Sequence, residues 1–202
     1  MTRRIVLATG NPGKLREFSM LLENFAGPSE PQLVPQGSLG IGGGAEPHST
    51  FVENALTKAR HAAALSGLPA LADDSGLCVD ALKGAPGILS ARFAGEPADD
   101  AQNNRELLRR LAGVTQRDAH YVCVLVAVRT ADDPEPLIAD GRWHGQILNA
   151  CRGEGGFGYD PLFYISDLGQ TAAELEPQHK NRISHRGIAV AAFAARLAEW
   201  RR

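Results

Sequence analysis

The sequence has few cysteines, no long hydrophobic run and almost no net charge, and each shortage excludes a class of protein. Its three cysteines, Cys78, Cys123 and Cys151, are too far apart for close metal-ligand spacing and favour neither a zinc site nor a disulfide framework. The formal net charge of -2 gives no electrostatic reason to bind duplex nucleic acid. No apolar run is long enough to span a membrane, and Ile5-Val-Leu-Ala8 is too short for a signal peptide. We expect a soluble, cytoplasmic protein that binds neither nucleic acid nor membranes.

Strand-like and helix-like segments alternate along the 202 residues without a repeat or a clear linker. This pattern predicts one α/β domain over residues 1–202, built on a mixed sheet. A capping box at Thr50 and Glu53 predicts the start of a helix, and Gly67 predicts its end. We expect strands at residues 4–8, 33–34, 120–128, 136–143, 146–148 and 162–165, and a C-terminal helix at residues 188–200. Gly141 and Gly145 suggest a bend before the strand at residues 146–148.

The first predicted strand is followed by Thr9-Gly10-Asn11-Pro12-Gly13-Lys14 and then by apolar residues at helical spacing. Backbone N–H groups of such a loop, with the N-terminus of the helix, can bind a phosphate. The spacing is not that of a Walker A loop, and Leu15 stands where a Mg²⁺-binding Ser or Thr would be. An ordinary strand-to-helix turn with a solvated lysine is the alternative.

The stretch Ala72-Asp73-Asp74-Ser75-Gly76 lies between two apolar runs, residues 68–71 and 77–80. We expect two strands with a bend between them, and Gly76 as the residue that makes the bend. Asp, Ser and Gly are common turn formers, so a capped turn is one interpretation. Because neighbouring side chains of a strand point to opposite faces, Asp73 and Asp74 can also have different functions.

Two further segments are unusual. In Gly153-Glu-Gly-Gly-Phe157-Gly-Tyr-Asp-Pro161, the phenylalanine lies among glycines and could stack on a planar ligand, or it could pack into the core.

In the second segment, Lys180-Asn-Arg-Ile-Ser184-His-Arg186-Gly, several positively charged residues lie before the C-terminal helix, with Ser184 as its N-cap. Cations at a helix start oppose the helix dipole, which indicates an anionic ligand there; solvated charge is the alternative. A nucleoside triphosphate with Mg²⁺ would satisfy all four polar segments.

On these segments the sequence resembles the Ham1-like (RdgB-like) inosine triphosphate pyrophosphatases, a family that hydrolyses non-canonical purine nucleoside triphosphates. The resemblance runs from Arg4 to the C-terminal helix. Six motifs carry it in order: Thr9-Gly-Asn-Pro-Gly-Lys14, Thr50-Phe-Val-Glu-Asn-Ala-Leu-Thr-Lys58-Ala, Ala72-Asp-Asp-Ser-Gly76, Gly84-Ala-Pro-Gly-Ile-Leu-Ser-Ala-Arg92, Gly156-Phe-Gly-Tyr-Asp-Pro161 and Ile183-Ser-His-Arg-Gly187.

The resemblance implies a Mg²⁺-dependent homodimer that converts ITP, dITP and XTP to the monophosphate and pyrophosphate. It implies an elongated mixed β-sheet flanked by helices, with two lobes around a central nucleotide-binding cleft. Asp74 would accept the proton and bind the metal, while Asp73 would support the metal or the turn. The residues implied to contact the substrate are Thr9, Gly10, Asn11, Pro12, Gly13 and Lys14 in the loop, Lys58 near the phosphates, Ser75, and Phe157, Gly158, Tyr159, Asp160, Lys180, His185 and Arg186 around the base and sugar.

The sequence departs from the family before the Thr50 helix start, where the family usually carries an acidic cluster. Here the run Gly44-Ala-Glu46-Pro-His-Ser49 has one acid, so Glu46 is the candidate second metal ligand. Donors from His185, Arg186 or loop amides would select a 6-oxo purine, because adenine's amino group would leave them unpaired.

Other function classes fit the motifs less well. A Maf-like pyrophosphatase would share the reaction but not these motifs. The broken Walker spacing disfavours a P-loop phosphotransferase, and a nucleotide sensor would not need the two carboxylates.

Overall fold

The structure, a computed structural model, describes residues 4–23 and 32–200. Strands and helices alternate as the sequence predicts. In chain order they are β1 (Arg4–Leu7), α1 (Pro12–Glu23), β2 (Gln32–Pro35), α2 (Phe51–Ser66), β3 (Ala70–Val79), α3 (Asp100–Arg110), β4 (Asp118–Val128), β5 (Leu137–Ile147), β6 (Phe163–Ile165), β7 (Gln170–Thr171), α4 (Pro177–Ile183) and α5 (His185–Trp200).

Within the part of the chain that the structure describes, seven strands form one sheet in the order β2-β1-β3-β4-β5-β6-β7. β1 pairs in parallel with β2 and with β3, aligning Val6 with Val34 and with Ala70. β6 pairs antiparallel with β5 and β7. The sheet is therefore mixed and flanked by helices, which confirms the predicted fold class. The short run at residues 33–34 lies in β2, an edge strand.

The chain divides into two compact units. Unit 1 comprises residues 1–74, 123–141 and 186–202, and unit 2 comprises residues 75–122 and 142–185. Strands β3, β4 and β5 contribute residues to both. A single domain over residues 1–202 stays a prediction. Within the described ranges, no helix is both long enough and apolar enough to cross a membrane.

Each unit has its own cluster of buried apolar side chains. The cluster of unit 1 includes Phe18 of α1, Leu125 of β4 and Phe193 of α5, all 2% exposed or less. The cluster of unit 2 includes Leu107 of α3 and Phe163 of β6, both fully buried.

Local capping sets the limits of α2 where the sequence predicts them. The Thr50 side chain accepts from the Glu53 backbone N–H at 3.4 Å, and Gly67 ends the helix in the left-handed conformation, with φ of 64°. The Glu53 carboxylate accepts from the Thr50 hydroxyl at 2.6 Å, which departs from the expected bond to the backbone. Both ends of α2 are therefore set by residues directly next to the helix, and the predicted start and end are confirmed.

The expected bend at residues 72–76 is wrong. Residues 70–79 form one continuous strand, β3, and Gly76 is buried within it. Within the strand the two aspartates pair with lysines on two different helices, Asp73 with Lys14 of α1 and Asp74 with Lys58 of α2. Because successive side chains of a strand point to opposite faces of the sheet, Asp73 and Asp74 contact different helices.

The expected break between residues 136–143 and 146–148 is also wrong, because β5 runs through both segments. Gly145 does not bend the strand. A Cβ atom there would lie 2.6 Å from the Tyr164 carbonyl oxygen and 2.8 Å from the Phe163 ring, so glycine allows a close approach of β6.

The cationic segment is divided between two helices, which corrects the expectation of a single helix start. Lys180 and Arg182 lie in the last turn of α4, where positive charge is favourable to the helix dipole. His185 and Arg186 open α5, which begins three residues earlier than expected, and Ser184 separates the two helices. The argument that cations at a helix start indicate an anionic ligand therefore applies only to His185 and Arg186.

Candidate active site

The turn between β1 and α1 is held by its own side chains. The Asn11 side-chain oxygen accepts from the backbone N–H groups of Gly13 at 2.8 Å and Lys14 at 3.1 Å, which is the bonding of an N-cap. Pro12 is the first residue of the helix, a position where its missing N–H costs nothing. The hydroxyl of the buried Thr9 accepts from the Asn11 N–H at 3.3 Å, and Gly10 is exposed.

Lys14 forms an ion pair with Asp73, at 2.7 Å between Nζ and Oδ2. The Asp73 side chain is fully buried, whereas that of Lys14 is 14% exposed. Burial alone would raise the pKa of Asp73, but the charges of Lys14, Lys58 and Arg186 outweigh it and lower that pKa. Asp73 is therefore a stable carboxylate that holds the lysine of the loop.

Asp74, the next residue, belongs to a different network. Its Oδ1 accepts from Lys58 Nζ at 3.1 Å, and the same ammonium donates to Glu46 Oε1 at 2.6 Å. Lys58 therefore lies between two carboxylates from separate segments of the chain. Burial lowers the pKa of Lys58, but Asp73, Asp74 and Glu46 more than compensate and raise it.

The pKa values of the two aspartates are shifted in opposite directions. Burial raises the pKa of Asp74, and the attraction of Lys58 and Lys14 does not cancel the effect. Glu46 adds to it by repulsion. Where the environments of two carboxylates separate their pKa values, their roles in proton transfer separate too. The carboxylate of Asp74 is therefore more basic than that of Asp73.

The acidic residues around Lys58 suit a hard divalent cation. Mg²⁺ is usually held by one or two carboxylates together with water and substrate phosphates, not by a complete protein cage. Glu46 and Asp74 already enclose one cationic group, the Lys58 ammonium. Among residues 4–23 and 32–200, no three His, Cys, Asp or Glu side chains are placed to hold a metal. The carboxylates of Glu46 and Asp74 are ligands of the type that Mg²⁺ prefers.

Arg186 lies in unit 1 with the loop and the aspartates. Its guanidinium donates to Glu17 Oε2 of α1 at 2.8 Å, and the side chains of Arg186 and Glu17 are 6% and 13% exposed. Burial alone would lower the pKa of Arg186, but the charges of Glu17 and Asp73 outweigh it and raise that pKa. The arginine stays charged and adds to the positive field on Asp73.

In unit 2, Asp160 organises the glycine-rich loop. Its Oδ2 accepts from Lys180 Nζ at 2.6 Å and from the Phe157 backbone N–H at 2.9 Å, and Oδ1 accepts from the Tyr121 hydroxyl at 3.3 Å. Gly156, with φ of 73°, passes so close that a Cβ there would lie 2.9 Å from Asp160 Cγ. A buried carboxylate thus fixes the loop that carries Phe157.

Phe157 is half-buried, with Lys180 Nζ 5.1 Å from the centre of its ring. The next two residues are tied to other parts of unit 2: the Gly158 N–H donates to Asp100 Oδ2 at 2.7 Å, and the Tyr159 hydroxyl donates to the Ser90 carbonyl at 2.8 Å. Phe157 and Gly158 also line a cavity of about 380 Å³ beside α3.

His185 is 2% exposed and lies in an aromatic stack. Its ring is 4.6 Å from that of Tyr121, at an angle of 9°, and 6.5 Å from that of Trp143. Tyr121 in turn contacts Phe163, with ring centres 4.6 Å apart. The histidine therefore presents a packed, oriented ring and not a mobile one.

The candidate residues fall into two sets. Unit 1 holds Thr9, Gly10, Asn11, Pro12, Gly13, Lys14, Glu46, Lys58, Asp73, Asp74 and Arg186; unit 2 holds Ser75, Phe157, Gly158, Tyr159, Asp160, Lys180 and His185. Sequence reasoning missed Glu17, the partner of Arg186, and the aromatic neighbours of His185. It also missed Asn54, although its position one turn before Lys58 was a usable signal.

Comparison with known proteins identifies relatives over almost the whole chain. A protein named dITP/XTP pyrophosphatase from Ralstonia nicotianae is 60% identical over 198 residues, covering 96% of each chain. One of the same name from Aromatoleum aromaticum is also 60% identical, covering 98% of each. Among solved structures, a HAM1 protein from Coxiella burnetii matches with a TM-score of 0.89 at 46% identity, covering 98% of this chain and 100% of that one.

The Staphylococcus aureus Ham1 protein matches with a TM-score of 0.85 at 37% identity, covering 98% of this chain and 99% of that one. The model of the Ham1 family matches residues 5–196, a range that includes every candidate residue named above. A match of this extent, with relatives of such high identity, establishes the family. The chain is a member of the Ham1 family.

Proposed function

We propose that the protein hydrolyses non-canonical purine nucleoside triphosphates, ITP, dITP and XTP, to the nucleoside monophosphate and pyrophosphate. This activity would remove such nucleotides before they enter DNA or RNA. The names of the close relatives support the reaction class. The observation that carries the proposal is the pair of acids, Glu46 and Asp74, that enclose a single cationic group on Lys58.

In the proposed reaction, water attacks the α-phosphorus and the bond to the oxygen bridging the α- and β-phosphorus breaks, so that pyrophosphate leaves. Asp74 accepts the proton of the attacking water. Its raised pKa, caused first by burial, makes it a stronger base than Asp73. Positioned general bases of this kind contribute roughly 10²- to 10⁴-fold in rate.

Glu46 and Asp74 would hold Mg²⁺, which when bound orients the phosphates and lowers the pKa of the attacking water. Asp73 is not proposed as a ligand, because it is fully buried and paired with Lys14. Lys14 and Lys58 would neutralise the charge that builds on the leaving pyrophosphate. Losing one such donor typically costs about 3–4 kcal/mol of transition-state stabilisation.

Residues of unit 2 are proposed to bind the base and sugar. Phe157 would stack on the purine, and Lys180 and His185 would lie beside it with Asp160 fixing the loop. His185 is held by the rings of Tyr121 and Trp143, so a donor on its imidazole would have a defined direction. Such a donor favours a 6-oxo purine over adenine. A homodimer and a cytoplasmic location stay predictions.

The experiment is to incubate the purified protein with ITP, XTP, dITP or ATP, with and without Mg²⁺, and to identify the products. We expect monophosphate and pyrophosphate from the first three, dependence on Mg²⁺, and much slower release from ATP. The variant Asp74→Asn should bind ITP and not hydrolyse it.

Diphosphate and inorganic phosphate as products would refute cleavage between the α- and β-phosphates. Tight binding of ITP without any turnover would favour the nucleotide sensor. Equal rates for ATP and ITP would contradict selection by the 6-oxo group.

A further inference from the structure

Asn54 is a buried polar residue of α2 that the proposed mechanism does not use. It is 1% exposed and lies in the first turn of the helix. Its side-chain oxygen accepts from the His48 N–H at 3.0 Å, and its Nδ2 donates to the His48 carbonyl at 3.2 Å. One amide therefore holds both backbone groups of His48.

The same amide reaches Asp74. Nδ2 carries two hydrogens, and it lies 3.4 Å from Asp74 Oδ2 as well as near the His48 carbonyl. The other oxygen of Asp74 accepts from Lys58. Asn54 and Lys58, one helical turn apart, thus fix the two oxygens of the carboxylate and set its rotation about the side-chain bond.

The His48 segment also carries Glu46, two residues earlier. A second tie fixes this segment to α2, because His48 Nε2 lies 3.0 Å from the Thr57 hydroxyl oxygen. Asn54 is therefore bonded to the segment that carries one acid of the proposed cation site and directly to the other acid. Side chains that orient ligands in this way typically change metal affinity 10- to 100-fold when removed.

We infer that Asn54 is a positioning residue that sets the distance and orientation of Glu46 and Asp74 for a divalent cation. The inference rests on the proposed function of these two acids. It predicts that loss of the Asn54 amide weakens cation binding even when the protein stays folded.

Asn103 in α3 provides a matched control. It occupies the same position in its helix, the fourth residue, and is 2% exposed. Its oxygen accepts from the Ala94 N–H at 2.8 Å, and its Nδ2 donates to the Ala91 carbonyl at 2.9 Å. Asn103 thus anchors a preceding loop as Asn54 does, but the bonds the structure gives it are to backbone groups.

The test compares Asn54→Ala and Asn103→Ala in the full-length protein. Cation affinity is measured without nucleotide by titration with Mn²⁺, followed by electron paramagnetic resonance, and the half-saturating Mg²⁺ concentration is measured in the pyrophosphate-release assay. Unfolding by urea gives the stability of each variant. We expect Asn54→Ala to weaken both cation measurements at least tenfold, and Asn103→Ala to leave them within twofold of the wild type at a similar loss of stability.

An Asn54→Ala protein that folds and binds Mn²⁺ as the wild type does would overturn the inference while leaving the proposed function intact. A wild-type protein that neither binds Mn²⁺ nor responds to Mg²⁺ would overturn both. If Asn54→Ala does not fold, Asn54→Gln takes its place, because it keeps the amide but moves it outward by one methylene. Unchanged cation affinity in that folded variant would equally refute the role.

Discussion

The two adjacent aspartates should respond in opposite ways to loss of their charge. The variants Asp73→Asn and Asp74→Asn change each carboxylate to an amide of almost the same shape. Asp73 has a lowered pKa in the folded protein, so its ionised form stabilises the fold. Asp74 has a raised pKa, so its ionised form costs stability at neutral pH.

The magnitude for Asp73 follows from its surroundings. Its side chain is fully buried and lies 2.7 Å from Lys14, with Lys58 and Arg186 also contributing positive charge. Removing one member of a buried ion pair typically costs about 3–5 kcal/mol, because the remaining charges stay buried without compensation. In a chain of this length, each kcal/mol lowers the melting temperature by about 2–4 °C, so we expect a decrease of roughly 6–20 °C.

For Asp74 the expected loss of stability is below about 1 kcal/mol, or stability increases. Relief of its burial cost offsets the lost bonds to Lys58 and Asn54, and Lys58 keeps Glu46 as its partner. Activity should show the reverse order. Asp74→Asn should lose about 10²- to 10⁴-fold in kcat as the proposed proton acceptor. Asp73→Asn should lose less, through misplacement of Lys14.

The pH dependence gives an independent check. The stability that Asp73 contributes is complete above the ordinary carboxyl pKa of about 3.9, and it is lost as pH falls through the lower pKa of the folded state. Urea unfolding of both variants and the wild type at pH 7, and again below about pH 4, measures this. Asp74→Asn less stable than Asp73→Asn at pH 7, or a gap between wild type and Asp73→Asn that widens in acid, would refute the reasoning.

Three further predictions each concern a single residue. Lys58→Gln should reduce kcat/KM for ITP about 10²- to 10³-fold through loss of a cation near the phosphates, and a loss under threefold in steady-state assays would exclude that role. Phe157→Ala should weaken nucleotide binding by about 1–3 kcal/mol, measured as the Kd of ITP by calorimetry; an unchanged Kd would show that its ring does not stack on the base. Gly145→Ala should destabilise the protein by about 1–3 kcal/mol in urea, because its Cβ would meet Tyr164 and Phe163; a stable variant would contradict the close approach of β6.

Elements whose limits depend on nearby residues could be predicted from the sequence. Thr50 and Gly67 define α2 through contacts within the helix itself, and both were identified correctly. β4 was equally clear, because its alternation of β-branched and apolar residues is a local signal.

The errors occurred where distant residues decide the local structure. The local sequence around Asp73 and Asp74 favours a turn, but in the strand the two carboxylates pair with the lysines of α1 and α2. Gly145 favours a bend by its residue type, but it lies closely against Phe163 and Tyr164 of β6. In both cases a tertiary contact overrides a local preference, as it often does in sheets.

The same distinction between local signals and tertiary contacts holds for the candidate site. Motifs along the chain, together with the family resemblance that they carry, singled out the acids, the lysines and Phe157, and the roles of these residues stay predictions. The stack of Tyr121 and Trp143 on His185 could not be predicted, because it depends on which strands become neighbours. Asn54 was passed over because an asparagine on a helix has no chemistry of its own until its partners are known.

The Asn11 cap on α1 has a consequence for how a ligand is received. An N-cap of this kind contributes about 1 kcal/mol to helix stability, so the turn at residues 9–14 does not need an anion to take its shape. A ligand that meets an already ordered turn loses little affinity to the ordering of the backbone. The conformational entropy of this turn is therefore lost once, when the chain folds, and the proposed binding of a nucleotide there would not have to order it again.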